Sequence, residues 1–533
     1  MSNDQASETT PAPVPDPVRR GALRRPRAPA LIGPAGRAFS YGALEAAVER
    51  GTERLATAGV GEGDRVACLL PREPAYVVLL MALWRRRAVA APLLARTPPA
   101  GRVRLLEAIG ARTLVAADPA ATEAPERVRV LAAPDLVGGL PGDVDDERAP
   151  PNESARRPAD QPATLVFTSG STGAPKAALH TTGNHWFSAD GSRRNLPLTP
   201  SDRWLLSLPL YHVGGLAVVL RCLWAGATVA FPREDEPLAP ALRRTGATHA
   251  SLVAAHLRRL LEAAPHDDAG TGVPASMTAL LLGGGPAPLT LIEAAHRAGW
   301  PVAVSYGLTE MASQVATTAP GDPLDALLHT AGRPLAHRRV RIRGGPDGEA
   351  SREGDVGEIL VHGRTRFAGY VTGGGRLREP FTRAFGEDGW FATGDLGRFD
   401  AEGRLRVTGR RDRRFVSGGE NVQPEEIEAA LRRRPGVAEA AVVPVPHESF
   451  GRRPVAFVRG AQGAPVSPEE DADDLRAALR ERLPGYKVPD AFYPWPEDAA
   501  SAGLKPDRAL LKRRARERFG GEGGSGSKSG VAS

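Results

Sequence analysis

Cysteine is almost missing from this chain: Cys68 and Cys222 are the only two among 533 residues. Both lie in apolar runs and form no metal-ligand spacing. That excludes a cysteine zinc site and a disulfide framework, and it fits a reducing cytoplasm, where the chain is expected to work. Lysine is scarce as well. Of 69 Lys and Arg residues only five are lysine: Lys176, Lys487, Lys505, Lys512 and Lys528. Arginine is the default cation, so Lys176, in a loop, and Lys505, in "GLKPDR", stand out as places where a compact ammonium on a flexible stem can be wanted, whereas Lys512 and Lys528 look incidental. Long apolar runs are absent. The longest, "YVVLLMALW", is too short to span a bilayer, and the N-terminal stretch "MSNDQASETTPAPVPDPVRR" has no apolar signal core. No membrane insertion is expected. The net charge of +7 is modest for the length, and the arginines are interspersed with Glu and Asp. This speaks against a nucleic-acid partner and suits anionic small molecules. Nothing in the sequence bears on oligomeric state.

What is present is enough for large cores. Hydrophobic residues make up 41%, and 533 residues exceed one domain. Residues 1–27 are rich in Pro, Ala and Arg and are expected to be disordered. From Phe39 the chain alternates helix and strand. Ser40 is a predicted N-cap, Leu44, Val48 and Leu55 keep helical spacing, and Gly59 suits the stop. "RVACLL" and "ARTLVAA" read as buried strands, with "PAYVVLLMALWRRR" as the helix between them. This rhythm predicts an α/β fold with a mostly parallel sheet and helices on both faces. After about Arg410 the character changes to charged helices flanking short strands, a small α+β domain expected over 410–516. The tail, 517–533, is low-complexity and expected to be disordered. The larger domain then covers 28–409.

One loop carries chemistry plainly. An apolar strand, "ATLVF", runs into "TSGSTGAPKAALHT" from Thr168 to Thr181. The nucleotide loop G-x-x-x-x-G-K-[ST] is not met, because Pro175 takes the second glycine position and Ala177 replaces the Ser/Thr. Proline offers no N–H to an anion. The alternative is a loop whose hydroxyls and backbone N–H groups hold phosphates, with Lys176 as a point charge. Three other stretches have a similar character. "LLGGGP" permits close backbone approach at Gly284 and Gly285. "SYGLTE" offers Tyr306 to stack on a base, Thr309 for phosphate and Glu310 for Mg2+ or for solvent. "GWFATGDLG" puts Asp395 in a tight turn, where it can bind both hydroxyls of a ribose or close an Asx turn.

In this order, "TSGSTGAPK", "YGLTE", "TGD", "GRRD" and "GGENVQPEEIE" make the chain resemble the adenylate-forming superfamily of acyl-CoA synthetases, luciferases and peptide-synthetase adenylation domains, over roughly residues 28–515. The resemblance implies a large adenylate-forming domain of layered sheets and helices with a small mobile C-terminal domain. It implies ATP and Mg2+ as cofactors and coenzyme A as co-substrate. By the same resemblance, Thr168, Ser169, Gly170, Ser171, Thr172, Gly173 and Lys176 form the phosphate loop. Gly284, Gly285, Tyr306, Gly307 and Thr309 hold the adenylate, Asp395 and Arg410 the ribose, and Glu310 the metal. Asp412 marks the hinge, Ser417, Gly418 and Gly419 line the CoA path, and Lys505 is the catalytic lysine brought in by the small domain.

Within the superfamily, "KAALHT", "WLLSLPLYHVGG", "THASLV", "SGGENVQPEEIE", "FGRRPVAF" and the spacing of "GLKPDR" are most similar to the ligase subgroup acting on o-succinylbenzoate in menaquinone biosynthesis. That acid is a dicarboxylate, so the pocket needs a cation away from the reacting end. "GGLAVVLRCLWAGATVAF" is apolar except for Arg221, which needs an anion or a route to water. A structural pair with a protein carboxylate fits the pattern equally; the resemblance points to the ligand. Ser251 matches the same acid pocket, and His212, in "LYHVGG", either gates the carboxylate or is packed. Competing readings are a ligase for another aryl or medium-chain acid, a stand-alone enzyme loading a carrier protein, and a non-catalytic adenylate-binding regulator.

Overall fold

The computed structural model describes residues 12–95, 97–138, 156–168, 176–263, 272–344, 354–371, 381–382, 384–386, 388–460, 467–497 and 507–522. Two large mixed sheets organise most of the chain up to about residue 382. One has eight strands and the other nine. In the first, the strands Pro162–Thr168, Val89–Pro92, Arg65–Leu69, Thr113–Ala116 and Arg129–Ala132 are parallel. In the second, Val302–Leu308, Ala279–Leu282, His249–Leu252, Arg203–Leu205, Thr228–Ala230 and Pro29–Ile32 are parallel, with antiparallel strands at both edges. Their near-continuous apolar sequences are what strands covered on both faces require.

The helices Pro74–Arg85 and Val213–Ala225 are apolar almost all round, and such helices belong inside. They share a core with side chains from both sheets, including Leu31, Val66, Ala90, Trp204 and Phe231. Trp84 and Trp224 meet there with ring centroids 6.3 Å apart. The helix Tyr41–Thr57 starts where its sequence says: the Ser40 hydroxyl accepts from the Ala43 N–H at 3.1 Å. Leu44, Val48 and Leu55 are buried, and Gly59 follows with a φ of +69°.

A four-stranded antiparallel sheet comes next: Arg338–Arg343, Gly357–Gly363, Phe391–Phe399 and Leu405–Arg410. Beyond it lies a hairpin, Phe415–Ser417 with Glu420–Val422. A three-stranded sheet then forms from Val437–His447, Gly451–Gly460 and Ala491–Pro494, with the helices Pro424–Arg432, Ala472–Arg480 and Arg508–Glu522. These elements have their own cores around Ile427, Val442 and Leu475 and around Val445, Phe457 and Leu511.

Both expected disordered ends need correction. Residues 1–11 and 523–533 lie outside the described residues, but 12–27 and 517–522 are structured. Val14–Pro15 pairs antiparallel with Arg156–Arg157, and Pro17–Arg24 is a helix with Val18 and Ala22 buried. Asp16 caps that helix, accepting from the N–H groups of Val18 and Arg19 at 3.1 Å each. It also pairs with Arg85 at 3.1 Å and Arg157 at 2.8 Å, while Arg85 reaches Glu45 at 2.5 Å. Composition misled here because the ordering comes from partners more than 60 residues away. At the other end, burial of Leu511 and Ala515 carries the last helix through Glu522.

Candidate active site

The carboxyl ends of the strands His249–Leu252, Ala279–Leu282 and Val302–Leu308 lie side by side, and ligands of open α/β sheets bind at such an edge. Ala279–Leu282 leads into Gly283–Gly285. Gly284 has a φ of +81°, and a side chain there would begin 3.1 Å from Val253; Gly285 faces open space. Gly307 has another cause. A Cβ on it would fall 2.3 Å from the carbonyl oxygen of Ser313, so the antiparallel neighbour alone demands glycine.

The strand Pro162–Thr168 turns back as Lys176–Thr181, with Lys176 opposite Thr168. These two close the base of the phosphate loop; Ser169, Gly170, Ser171, Thr172 and Gly173 lie outside the described residues. The Lys176 ammonium lies 5.6 Å from the centre of the Tyr370 ring, and the Tyr370 hydroxyl donates to Glu310 Oε1 at 2.5 Å. One tyrosine thus holds a cation on its face and a carboxylate at its tip. Burial, with Glu310 adding to it, keeps that hydroxyl protonated by pushing its pKa far up. Tyr370 was not read from the sequence, where nothing sets it apart among seven tyrosines.

His180, four residues after Lys176, contacts the Thr309 carbonyl through Nε2 at 2.7 Å. Complete burial pulls its pKa down to about 4, so the ring is neutral at pH 7 and donates to that carbonyl. The 3-10 turn Thr309–Met311 is thereby tied to the strand carrying Lys176. Among the described residues no three His, Cys, Asp or Glu side chains cluster as a metal cage. A single carboxylate, Glu310, fits Mg2+ held jointly with substrate phosphates, because Mg2+ keeps most of its own water.

On the strand Val302–Leu308, which leads into that turn, the Tyr306 hydroxyl donates to Asp395 Oδ2 at 2.6 Å, and Arg410 Nη1 donates to Asp395 Oδ1 at 3.0 Å. Arg410 Nε reaches Asp412 Oδ1 at 3.0 Å. Tyr306, Asp395, Arg410 and Asp412 are therefore one chain of polar contacts, leading from the large sheets to the expected hinge. Two further contacts hold this region: Gln423 Nε2 donates to the Arg410 carbonyl at 3.1 Å, and the Arg411 side chain pairs with buried Glu358 at 3.0 Å.

A second group gathers around Trp204, on the strand Arg203–Leu205 of the nine-stranded sheet. Arg221 is 3% exposed. Its guanidinium carbon sits 4.4 Å from the Trp204 ring centre, and Nη2 donates to Gln314 Oε1 at 3.0 Å. Nε and Nη1 are buried with no hydrogen-bond partner among the described residues. Trp204 Nε1 donates to Ser251 Oγ at 3.1 Å, so Ser251 and Arg221 share that ring. His212 occupies the N-cap position of Val213–Ala225, half-buried, with its ring 4.5 Å from that of Tyr211.

The Ser417–Gly419 stretch turns the small hairpin. Ser417 is fully buried and its Oγ accepts from Arg453 at 3.3 Å, so its side chain offers nothing to a ligand. Gly418 (φ +59°) would place a Cβ 2.9 Å from Phe450, whereas Gly419 (φ +85°) faces open space. Lys505 lies outside the described residues.

Comparison with known proteins agrees with this geometry. The model of the AMP-binding enzyme family matches residues 18–371, and that of the AMP-binding enzyme C-terminal domain matches 426–500. A 2-succinylbenzoate–CoA ligase from Geobacillus kaustophilus is 39% identical over 86% of this chain and 90% of its own length. The o-succinylbenzoate CoA synthetase of Bacillus subtilis, solved with the acyl-adenylate intermediate, is 32% identical. It superposes with a TM-score of 0.80 over 94% of this chain and 99% of its own. The same enzyme solved with ATP and magnesium ion gives 33% identity and a TM-score of 0.77, over 91% and 96% of the two chains. With two family segments matched in order, and such relatives covered almost end to end, the chain belongs to the AMP-binding enzyme family.

Proposed function

We propose that this protein is an AMP-forming acid–CoA ligase that joins o-succinylbenzoate to coenzyme A in menaquinone biosynthesis, and that it works in the cytoplasm. The observation that carries the choice of acid is Arg221. A buried guanidinium that, among the described residues, has two unused donor atoms and no carboxylate beside it, and that rests on an aromatic face, suits an aromatic acid with a second negative charge. Its likeness to the 2-succinylbenzoate–CoA ligases supports the same reading.

In the first half-reaction an oxygen of the succinyl carboxylate attacks the α-phosphorus of ATP. The bond to the bridging oxygen breaks, and pyrophosphate leaves with its electrons. Two anions must approach each other, so catalysis is mostly positioning and charge compensation. Lys176, the loop hydroxyls and Lys505 meet the phosphate oxygens; Glu310 would hold Mg2+, which supplies further positive charge there. Asp395 and Arg410 hold the ribose, with Tyr306 bracing Asp395. In the second half-reaction the CoA thiol, losing its proton, attacks the acyl carbonyl, and AMP leaves. Arg221 and Ser251 hold the benzoate end throughout, and His212 stands beside the acid's path. The chain divides near Arg410 into a large adenylate-forming unit and a small unit that turns between the two steps.

The test is an acid panel with ATP, Mg2+ and CoA, read by product mass. We expect o-succinylbenzoyl-CoA and AMP. Arg221→Ala should raise KM for o-succinylbenzoate about 10²–10⁴-fold, the equivalent of the roughly 3–5 kcal/mol lost when one partner of a buried charge pair is removed. The loss should be far smaller on 4-phenyl-4-oxobutanoate, which lacks the second carboxylate. A better substrate elsewhere in the panel, or equal losses on both acids, would overturn the assignment.

A further inference from the structure

We propose that Gln314 is the residue that sets this pocket's preference for a dicarboxylate, by meeting Arg221 with a neutral amide oxygen in place of a carboxylate; the inference rests on the function proposed above. Gln314 lies on the strand Ser313–Thr317, opposite Gly307 in the antiparallel pair. It is buried, and its side-chain oxygen is the one hydrogen-bond acceptor that Arg221 has among the described residues.

An amide can present either end, and here a relay fixes which. Gln314 Nε2 donates to Thr317 Oγ1 at 2.8 Å. Thr317 Oγ1 lies 2.9 Å from Ser305 Oγ, and Ser305 Oγ donates to the Ala316 carbonyl at 3.2 Å. Only one arrangement makes each of these contacts a hydrogen bond: each group donates away from Arg221, and Oε1 faces the guanidinium, against which a flipped amide would set donor on donor. The backbone of Gln314 is held as well, its carbonyl accepting from Arg338 Nε at 2.5 Å.

Arg338 sharpens the point. It is buried too, and its other donors go to the Ala336 carbonyl and to the carbonyl and hydroxyl of Ser188. Two buried arginines therefore share one residue, Gln314, and among the described residues neither has a carboxylate in an ion pair. Burial lowers the pKa of both, to about 10 for Arg221 and, with the Arg221 charge adding to burial and Asp190 opposing it, to about 9 for Arg338. Both remain cationic at neutral pH. A buried positive charge left uncompensated by the fold is available to an anionic ligand. Glutamate at 314 would have the same shape, and Thr317 could donate to it. It would also neutralise Arg221 from within and repel the acid's second carboxylate.

The experiment uses the full chain with Gln314→Glu and Gln314→Met. The reading is the ratio of kcat/KM for o-succinylbenzoate to that for 4-phenyl-4-oxobutanoate, with KM and kcat separated for each acid. Gln314→Glu should lower the ratio about 10²-fold, chiefly through KM for the diacid. Gln314→Met keeps the charge but frees the guanidinium to turn, and should lower it about 10-fold. Equal losses on the two acids in either folded variant would make Gln314 merely structural and overturn the inference. If Gln314→Glu does not fold, Gln314→Met decides alone. A wild-type chain without a preference for the diacid would sink the proposed function itself; a wild-type preference with an unchanged ratio in the variants would sink only the role of Gln314.

Discussion

At the scale of single residues, the scarce lysines are the sharpest probes. Lys176 lies against Tyr370, whose hydroxyl holds Glu310, so among the described residues its ammonium is positioned by packing and not by an ion pair with a carboxylate. Lys505 must come from the small unit, in the polar stretch "GLKPDR". In the proposed reaction its charge is needed while pyrophosphate departs and not when the thiol attacks. Lys505→Ala should slow ATP–pyrophosphate exchange about 10²–10³-fold, the effect of one preorganised donor, and leave thioester formation from presynthesised acyl-adenylate largely intact. Lys505→Arg should restore only part of the exchange, because a planar fork does not replace a compact ammonium. Unimpaired exchange in Lys505→Ala would remove this lysine from the mechanism.

At the scale of elements, the short helix Pro17–Arg24 depends on one carboxylate. Asp16 is 4% exposed, caps the helix, and pairs with Arg85 and Arg157. Burial alone would raise its pKa, but Arg85 first and Arg157 next hold it well below the ordinary carboxylate range. A lowered folded-state pKa means stability that is fully present above the unfolded value, about 3.9, and lost as pH falls through the folded one. Asp16→Asn leaves Arg85 and Arg157 short of their partner. It should destabilise the chain by about 3–5 kcal/mol in urea titrations near neutral pH. It should also flatten the acid side of the stability profile below about pH 4. A variant as stable as the wild type, with the same acid limb, would show that Glu45 suffices as the anion of this network.

At the scale of the whole molecule, the question is how the small unit serves two half-reactions. It touches the large one through Arg258, which donates to the Ala438 carbonyl at 2.9 Å, and through the Arg410–Asp412 pair at the junction. Gly418 is a poor probe of the proposed CoA path because a side chain there strikes Phe450. Gly419 faces open space, so its replacement tests the path with less local damage. Its φ of +85° still makes Gly419→Leu cost about 1–2 kcal/mol of stability, which a melting curve will register. With that accounted for, adenylate formation should persist while transfer to CoA falls about 10²-fold, an obstruction by analogy with a misplaced reacting group. Single-turnover measurement of each half-reaction on the same sample decides; an equal fall in both would place Gly419 away from the thiol's path.

The sequence by itself determined the parts of this protein that local chemistry dictates. The Ser40 cap, the all-apolar helix Pro74–Arg85 and the alternation of buried strands follow from side-chain spacing. The motif order carried the family. Tertiary structure decided what depends on distant partners. Asp16 orders a Pro- and Arg-rich segment only because Arg85 and Arg157 come to it. Gly307 is required by a neighbouring strand, and Ser417 is turned inward by Arg453. Tyr370 joins Lys176 to Glu310 although nothing in its own neighbourhood announces it. Arg221 could be read from the sequence as a charge needing an anion. That Gln314 is what it meets, with the amide oxygen forced towards it by Thr317 and Ser305, exists only once two strands lie side by side.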